Sequence, residues 1–198
     1  MKRLAWIIVL IVCVVAGGVA VWKRAERSEG AYVSYISTRL KVRLEYPSTG
    51  WKLYEEPQPQ DRVVGSVQVF GPRRQDLKYS PYLHIAAEST SVARGAQPTL
   101  EDVVRAALTK RLQQRSYQIA EQTPMRCAGV AAFRVLADYA LVLPLESVKS
   151  KAIPFRELSV HCPHDGKHYI LTLAAPAEDF PKYQSAFDHL VKTLKFLP

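Results

Sequence analysis

The densest run of groups able to do chemistry is His161-Cys162-Pro163-His164-Asp165-Gly166-Lys167-His168, which holds three of the chain's five histidines. Imidazole, thiolate and carboxylate are all transition-metal ligands, and a turn through Asp165-Gly166 could bring His164 and His168 together with His161 nearby. The candidate metal set is therefore His161, His164 and His168. Against it, the spacing matches no standard zinc pattern, and a solvated hairpin tip explains the same residues. Cys162 beside His161 is a poor nucleophile-base pair, because neighbours on a strand point to opposite faces. No Gly-x-Ser-x-Gly, phosphate-binding or dinucleotide-binding motif is present. The expectation is a non-enzyme that needs no cofactor.

Two more sets of residues invite a role. Arg39, Lys41 and Arg43 alternate with Leu40, Val42 and Leu44, which gives a strand with a basic outer face suited to anionic headgroups or an acidic partner. An ordinary solvated sheet face reads the same way. Cys127 and Cys162 each adjoin an expected strand, and an even count outside the cytoplasm suggests a disulfide; two separate buried thiols are the alternative.

The elements that position these residues begin with a hydrophobic segment. Leu4 to Trp22 carries no charge, and at about 1.5 Å per residue such a segment spans roughly 28 Å, close to the hydrocarbon core of a bilayer. Trp6 and Trp22 near its ends, followed by Lys23 and Arg24, suit an uncleaved anchor. A cleaved signal ending at Gly18-Val19-Ala20, or lipidation at Cys13, are the other readings. The flanking charges nearly balance, so they do not set the orientation. The expected organisation is an anchor at 1–24, a polar linker at 25–34 and one domain at 35–198. The chain carries +9 overall, which suits an acidic partner or surface. No nucleic-acid-binding motif accompanies that charge, so no nucleic-acid partner is expected.

Period-two alternation predicts strands at Leu40–Tyr46 and Tyr82–Glu88, further strands are expected at Val63–Phe70, Tyr117–Gln122 and the long apolar, aromatic Val130–Leu143, and the Asp165-Gly166 turn signal predicts a hairpin of Phe155–Cys162 with His168–Ala174. Arg73 to Pro81 reads as a mobile polar loop. Thr99 caps a helix carrying Leu100, Val103, Val104, Ala107, Leu108 and Leu112 on one stripe. Asp179 and Pro181 open a second helix, with Tyr183, Phe187, Leu190, Val191 and Leu194 buried. The fold class is α+β, an antiparallel sheet layered with two main helices.

Several of these positions resemble the PsbP-like family, which includes DcrB-type bacterial envelope proteins. They are Tyr46-Pro47 with Gly50-Trp51, Thr99-Leu100-Glu101-Asp102, Cys127-Ala128-Gly129-Val130 with Phe133-Arg134-Val135, and Tyr169 to Thr172 followed by Phe180, Tyr183, Phe187 and Leu194-Lys195-Phe196. All are packing and turn positions. The resemblance implies an antiparallel sheet between helices and a binding or assembly role with a protein partner in the envelope. With the hydrophobic segment, it places the domain outside the cytoplasm on a single-pass chain. A small ligand held between sheet and helix, or a metal-dependent hydrolase using the His161–His168 hairpin, are the alternatives.

Overall fold

Alternation over the middle of the chain builds a sheet whose two faces are both covered. The computed structural model describes residues 32–55, 63–90, 99–113, 116–144 and 150–198. Its strands are β1 (Tyr32–Ser37), β2 (Val42–Pro47), β3 (Lys52–Glu55), β4 (Val63–Phe70), β5 (Tyr82–Ser89), β6 (Gln118–Cys127), β7 (Val130–Leu143), β8 (Lys151–His164), β9 (Lys167–Pro176) and β10 (Lys195–Phe196). The helices are α1 (Leu100–Leu112) and α2 (Phe180–Thr193). Seven strands form one sheet in the order β3-β4-β5-β9-β8-β7-β6, and three form a small sheet, β1-β2-β10. The expected sheet is thus two sheets, and all their pairings are antiparallel. Leu4 to Trp22 lies outside the described residues, among which no helix is long and apolar enough to cross a membrane.

The centre is the β8–β9 hairpin. Asp165 and Gly166 both take positive φ, 48° and 65°, as a two-residue type I′ turn requires. That turn sets His164 opposite Lys167 and Ser159 opposite Thr172. One face of the large sheet presents Val67, Val69, Leu83, Ile85, Leu158, Val160, Leu171 and Leu173. Phe180, Phe187 and Leu190 of α2 pack on it, as do Leu40, Val42 and Leu44 from the small sheet's inner side. The opposite face receives α1, where Val104 and Leu108 rest on Val135, Ile119 and Phe133.

Local chemistry decides several boundaries. Thr99 accepts from the Asp102 amide and Asp102 reaches back to the Thr99 amide, a full capping box. Asp179 behaves otherwise than expected. Its carboxylate makes no cap bond to α2 and is held by Arg74 and Lys182. Arg74 also binds Asp76 and Glu178, and a backbone bridge joins it to Tyr79, so Arg73 to Pro81 is a pinned loop. The basic strand is shorter than expected, because residues 38–41 turn, with Lys41 at φ 53°. That turn lies against β4 so closely that a Cβ on Gly65 would stand 2.9 Å from Leu40 Cδ2, so a larger residue there would have to push the buried Leu40 side chain aside. β1 starts at Tyr32, inside the stretch expected to be linker.

Tyr169 joins the two sheets. Its ring is buried and its hydroxyl donates to the Leu40 carbonyl at 2.9 Å. Tyr169→Phe leaves that buried carbonyl without its donor, so stability should fall by about 1–3 kcal/mol. Urea unfolding of the two proteins measures the difference, and equal midpoints would show that the bond contributes nothing.

Candidate functional site

The face of the large sheet beneath α1 is polar, although much of it is buried. Cross-strand register puts His84 opposite Thr172 and Thr172 opposite Ser159, in one row across β5, β9 and β8. Ser66 Oγ lies 2.8 Å from His84 Nε2. Ser159 Oγ lies 3.0 Å from His161 Nε2, and His161 Nδ1 lies 3.2 Å from His168 Nε2. The last two rings stack with centroids 5.2 Å apart. Two residues further along β8, Glu157 accepts from the Tyr117 hydroxyl at 3.2 Å and meets the Arg111 guanidinium of α1 at 3.3 Å. Tyr79, Tyr139 and Phe155 pack edge to face or tilted beside it.

Burial sets the charge state of this layer. It lowers His84 to about 4 and His168 to about 4. His161 falls to about 3, chiefly by burial and further by the facing His168 and Arg111. Arg111 also opposes a proton on His84. Burial pushes Glu157 up, while Arg111 and the Tyr117 hydroxyl pull it back. The histidines are therefore neutral hydrogen-bonding groups at neutral pH.

Ser159, His161 and His168 are linked as a nucleophile, a base and an orienting group would be. Catalysis also needs space about 3 Å from the nucleophile for a reacting atom. Ser159 is 3% exposed, and it lines neither the cleft beside α2 nor the one beside α1. The linked side chains satisfy one another's hydrogen-bonding groups within the layer.

The candidate metal set does not assemble. His161 and His168 share a face, but His164, three residues from His161 on the same strand, points to the other side. It stacks on Phe196 at 3.9 Å. Among the described residues no group of three or more His, Cys, Asp or Glu side chains could hold a metal ion. His84, far away in sequence, is the histidine that joins the layer, and nothing in its local sequence announces that.

Cys127 and Cys162 are both buried and both free. They face the same side of the sheet with β7 between β6 and β8. A hydrogen bond with Cys127, together with burial, pushes the Cys162 thiol up, so it stays protonated.

The basic residues divide. Arg39 lies in the turn, its stem against Gly65. Lys41 and Arg43 are exposed. Arg43 stands opposite Ile36 of β1 on one side and opposite Lys195 of β10 on the other, all on the outer face of the small sheet. Its Nε donates to Ser34 at 3.0 Å, and no carboxylate pairs with Arg43 or Lys195 among the described residues. On the same face Glu45 is engaged by His189, whose ring stacks on Tyr32 at 3.6 Å. Sequence alternation found Arg43, but Lys195 became its neighbour only through the β2–β10 pairing.

No protein-family profile matches the sequence, and no curated protein matches it. Solved structures do share its fold. The cyanobacterial PsbP protein CyanoP from Synechocystis sp. PCC 6803 superposes with a TM-score of 0.53 at 13% identity, over 84% of this chain and 93% of that one. LpqN, described as involved in cell envelope biogenesis of Mycobacterium tuberculosis, gives 0.53 at 14%, over 84% and 91%. The Saccharomyces cerevisiae Ran-binding protein Mog1p gives 0.50 at 9%, over 84% and 95%. The chain has a PsbP-like fold.

The neutral histidines tie stability to pH with a definite sign. Unfolded histidine titrates near 6.5, so below that value the unfolded chain binds more protons than the folded one. Stability is full above about 6.5 and falls as the pH drops towards the folded values near 4 for His84 and His168 and near 3 for His161. At pH 5 each ring should cost about 2 kcal/mol. Urea unfolding at pH 7.5 and pH 5 measures the sum, and His84→Gln should remove about a third of it. A flat profile would mean that the three rings are not buried as neutral groups.

Proposed function

We propose that this chain is a membrane-held, extracytoplasmic binding module without an active site of its own, which receives an acidic protein partner of the envelope on the outer face of its small sheet. The observation that carries this reading is the row Ile36–Arg43–Lys195. Like charges directly opposite each other in an antiparallel ladder destabilise it, yet Arg43 and Lys195 occupy such a pair, and among the described residues no carboxylate forms an ion pair with either, Glu45 on the same face being held by His189. An apolar side chain 54% exposed completes the row. Lys41 adds a third cation at the end of the turn. Acidic groups on a partner would relieve the repulsion and add electrostatic steering. Supporting this reading, one protein of the same fold is described as Ran-binding and another as involved in cell envelope biogenesis. The Leu4–Trp22 segment would hold the domain near membrane-bound partners and raise their effective concentration.

A second reading has its own observation. Between α2 and strands β6 to β8 lies a cleft of about 270 Å³ with Leu136, Leu158 and Phe180 as its apolar wall and Arg134 and Arg156 at its rim. It would suit a small envelope ligand. Asp138 already pairs with Arg156 at 2.8 Å, and Glu121 lines the same space, so the cleft lacks the unopposed charge of the small sheet.

In-cell crosslinking of the full chain, followed by mass spectrometry, tests the first reading. Replacing Lys41, Arg43 and Lys195 together by Gln should lower partner capture about tenfold and flatten its salt dependence. Capture that is unchanged in this variant removes the basic face from the interaction. Loss of binding to anionic vesicles with no protein captured at all would replace the protein partner by the lipid surface.

A further inference from the structure

Four strands end the two sheets among the described residues, β3 and β6 in the large one and β1 and β10 in the small one. An open edge exposes unpaired backbone groups and invites another strand, so edges are usually short, charged, bulged or broken by proline. β10 has only two residues. β3 has four, with Lys52 and Glu55 at its ends. β6 is long, but it carries Pro124, a bulge between Ile119 and Glu121, and the charges of Glu121 and Arg126. β1 shows none of these protections among the described residues. Its six residues, Tyr-Val-Ser-Tyr-Ile-Ser, are uncharged, contain no proline or glycine, and pair with β2 in unbroken register. Val33 is 42% exposed and Ile36 54% exposed.

We propose that the open edge of β1 takes up an extended peptide segment of the partner as a fourth strand of the small sheet, and that this segment alternates apolar with acidic residues. The proposal rests on the reading that the small sheet is the docking surface, and it specifies the mode. A strand beside β1 lies about 4.8 Å from it and about 9.6 Å from β2. Its outward side chains would flank Ser34 and Ile36, and long carboxylates there reach diagonally towards Arg43. Backbone hydrogen bonds would supply affinity, and the basic row would supply the preference for acid. A second copy of this chain is a poor occupant. Pairing β1 with β1 of a second copy would bring two uncompensated Arg43–Lys195 rows into one sheet, on a chain that already carries +9.

The test uses the full chain in detergent micelles and an acetylated, amidated heptapeptide of alternating Glu and Val. Hydrogen exchange read by mass spectrometry should show new protection in residues 32–37 on binding. Methylating alternate peptide amides should abolish binding, because it removes the donors a strand needs and leaves the charge intact. Ile36→Asn should weaken binding about fivefold without changing the melting temperature. Equal binding by the methylated peptide overturns strand addition while sparing the basic face. No binding up to about 1 mM overturns the proposal outright. If the free chain is a dimer that Ile36→Asn converts to monomer, the edge belongs to a second copy and the proposal fails. If the Lys41, Arg43 and Lys195 variant binds the plain peptide as well as the parent does, the reading of the basic face fails with it.

Discussion

The register of β8 against β9 is the constraint on which the rest of the domain depends. The two strands sit in the middle of a seven-stranded sheet and are covered on both sides. A slip of β8 by one residue would send Leu158 and Val160 to the polar layer, and would turn Ser159 and His161 into the apolar core. The Asp165-Gly166 turn prevents that slip by fixing which residues face each other. Once the register is set, Tyr169 points towards the small sheet and bonds Leu40, and Glu157 points towards Arg111 of α1. The placement of both outer layers follows from one two-residue turn.

The two covered faces are held by different physics. Aliphatic packing from α2 and the small sheet secures one, and it tolerates a wide range of pH. On the other, α1 contributes Val104 and Leu108, then Arg111, over a layer that depends on each polar group having a partner. Neutral histidines suit such a layer because one ring can donate and accept at once, which a buried charge could not do without a counterion. The Ser159–His161–His168 chain is satisfied in either direction of proton donation.

Much of the fold was legible because local signals agreed with the tertiary outcome. Val63–Phe70 and Val130–Leu143 are predominantly apolar and end at turn residues, and both are strands over those spans. Thr99 and Asp102 carry their helix start in four residues. Where a distant partner decided, the local signal misled. Asp179 has the look of a cap, but Arg74 claims its carboxylate. Pro124 argues against a strand, and β6 accepts it because it is an edge. The basic alternation from Arg39 to Arg43 continues in sequence through a backbone that has already turned. For the candidate sites the difference is sharper. The alternation that separates His161 from Cys162 also separates His161 from His164, so half of the metal set's failure was readable. The arrivals of His84 from β5 and of Lys195 from β10 were not, since register between distant strands is a property of the whole sheet.

The pairing of β2 with β10 joins residues near position 42 to residues near position 196. During synthesis β1 and β2 emerge early and can form a hairpin, but their third strand arrives last. Loop closure over such a separation is entropically costly, so this pairing depends on contacts that the rest of the domain supplies. The doubled cation at Arg43 and Lys195 therefore exists only on a chain in which β10 is seated beside β2. A partner that reads this pair therefore also reads the pairing of β2 with β10, and a chain in which those strands have parted would present Arg43 and Lys195 separately.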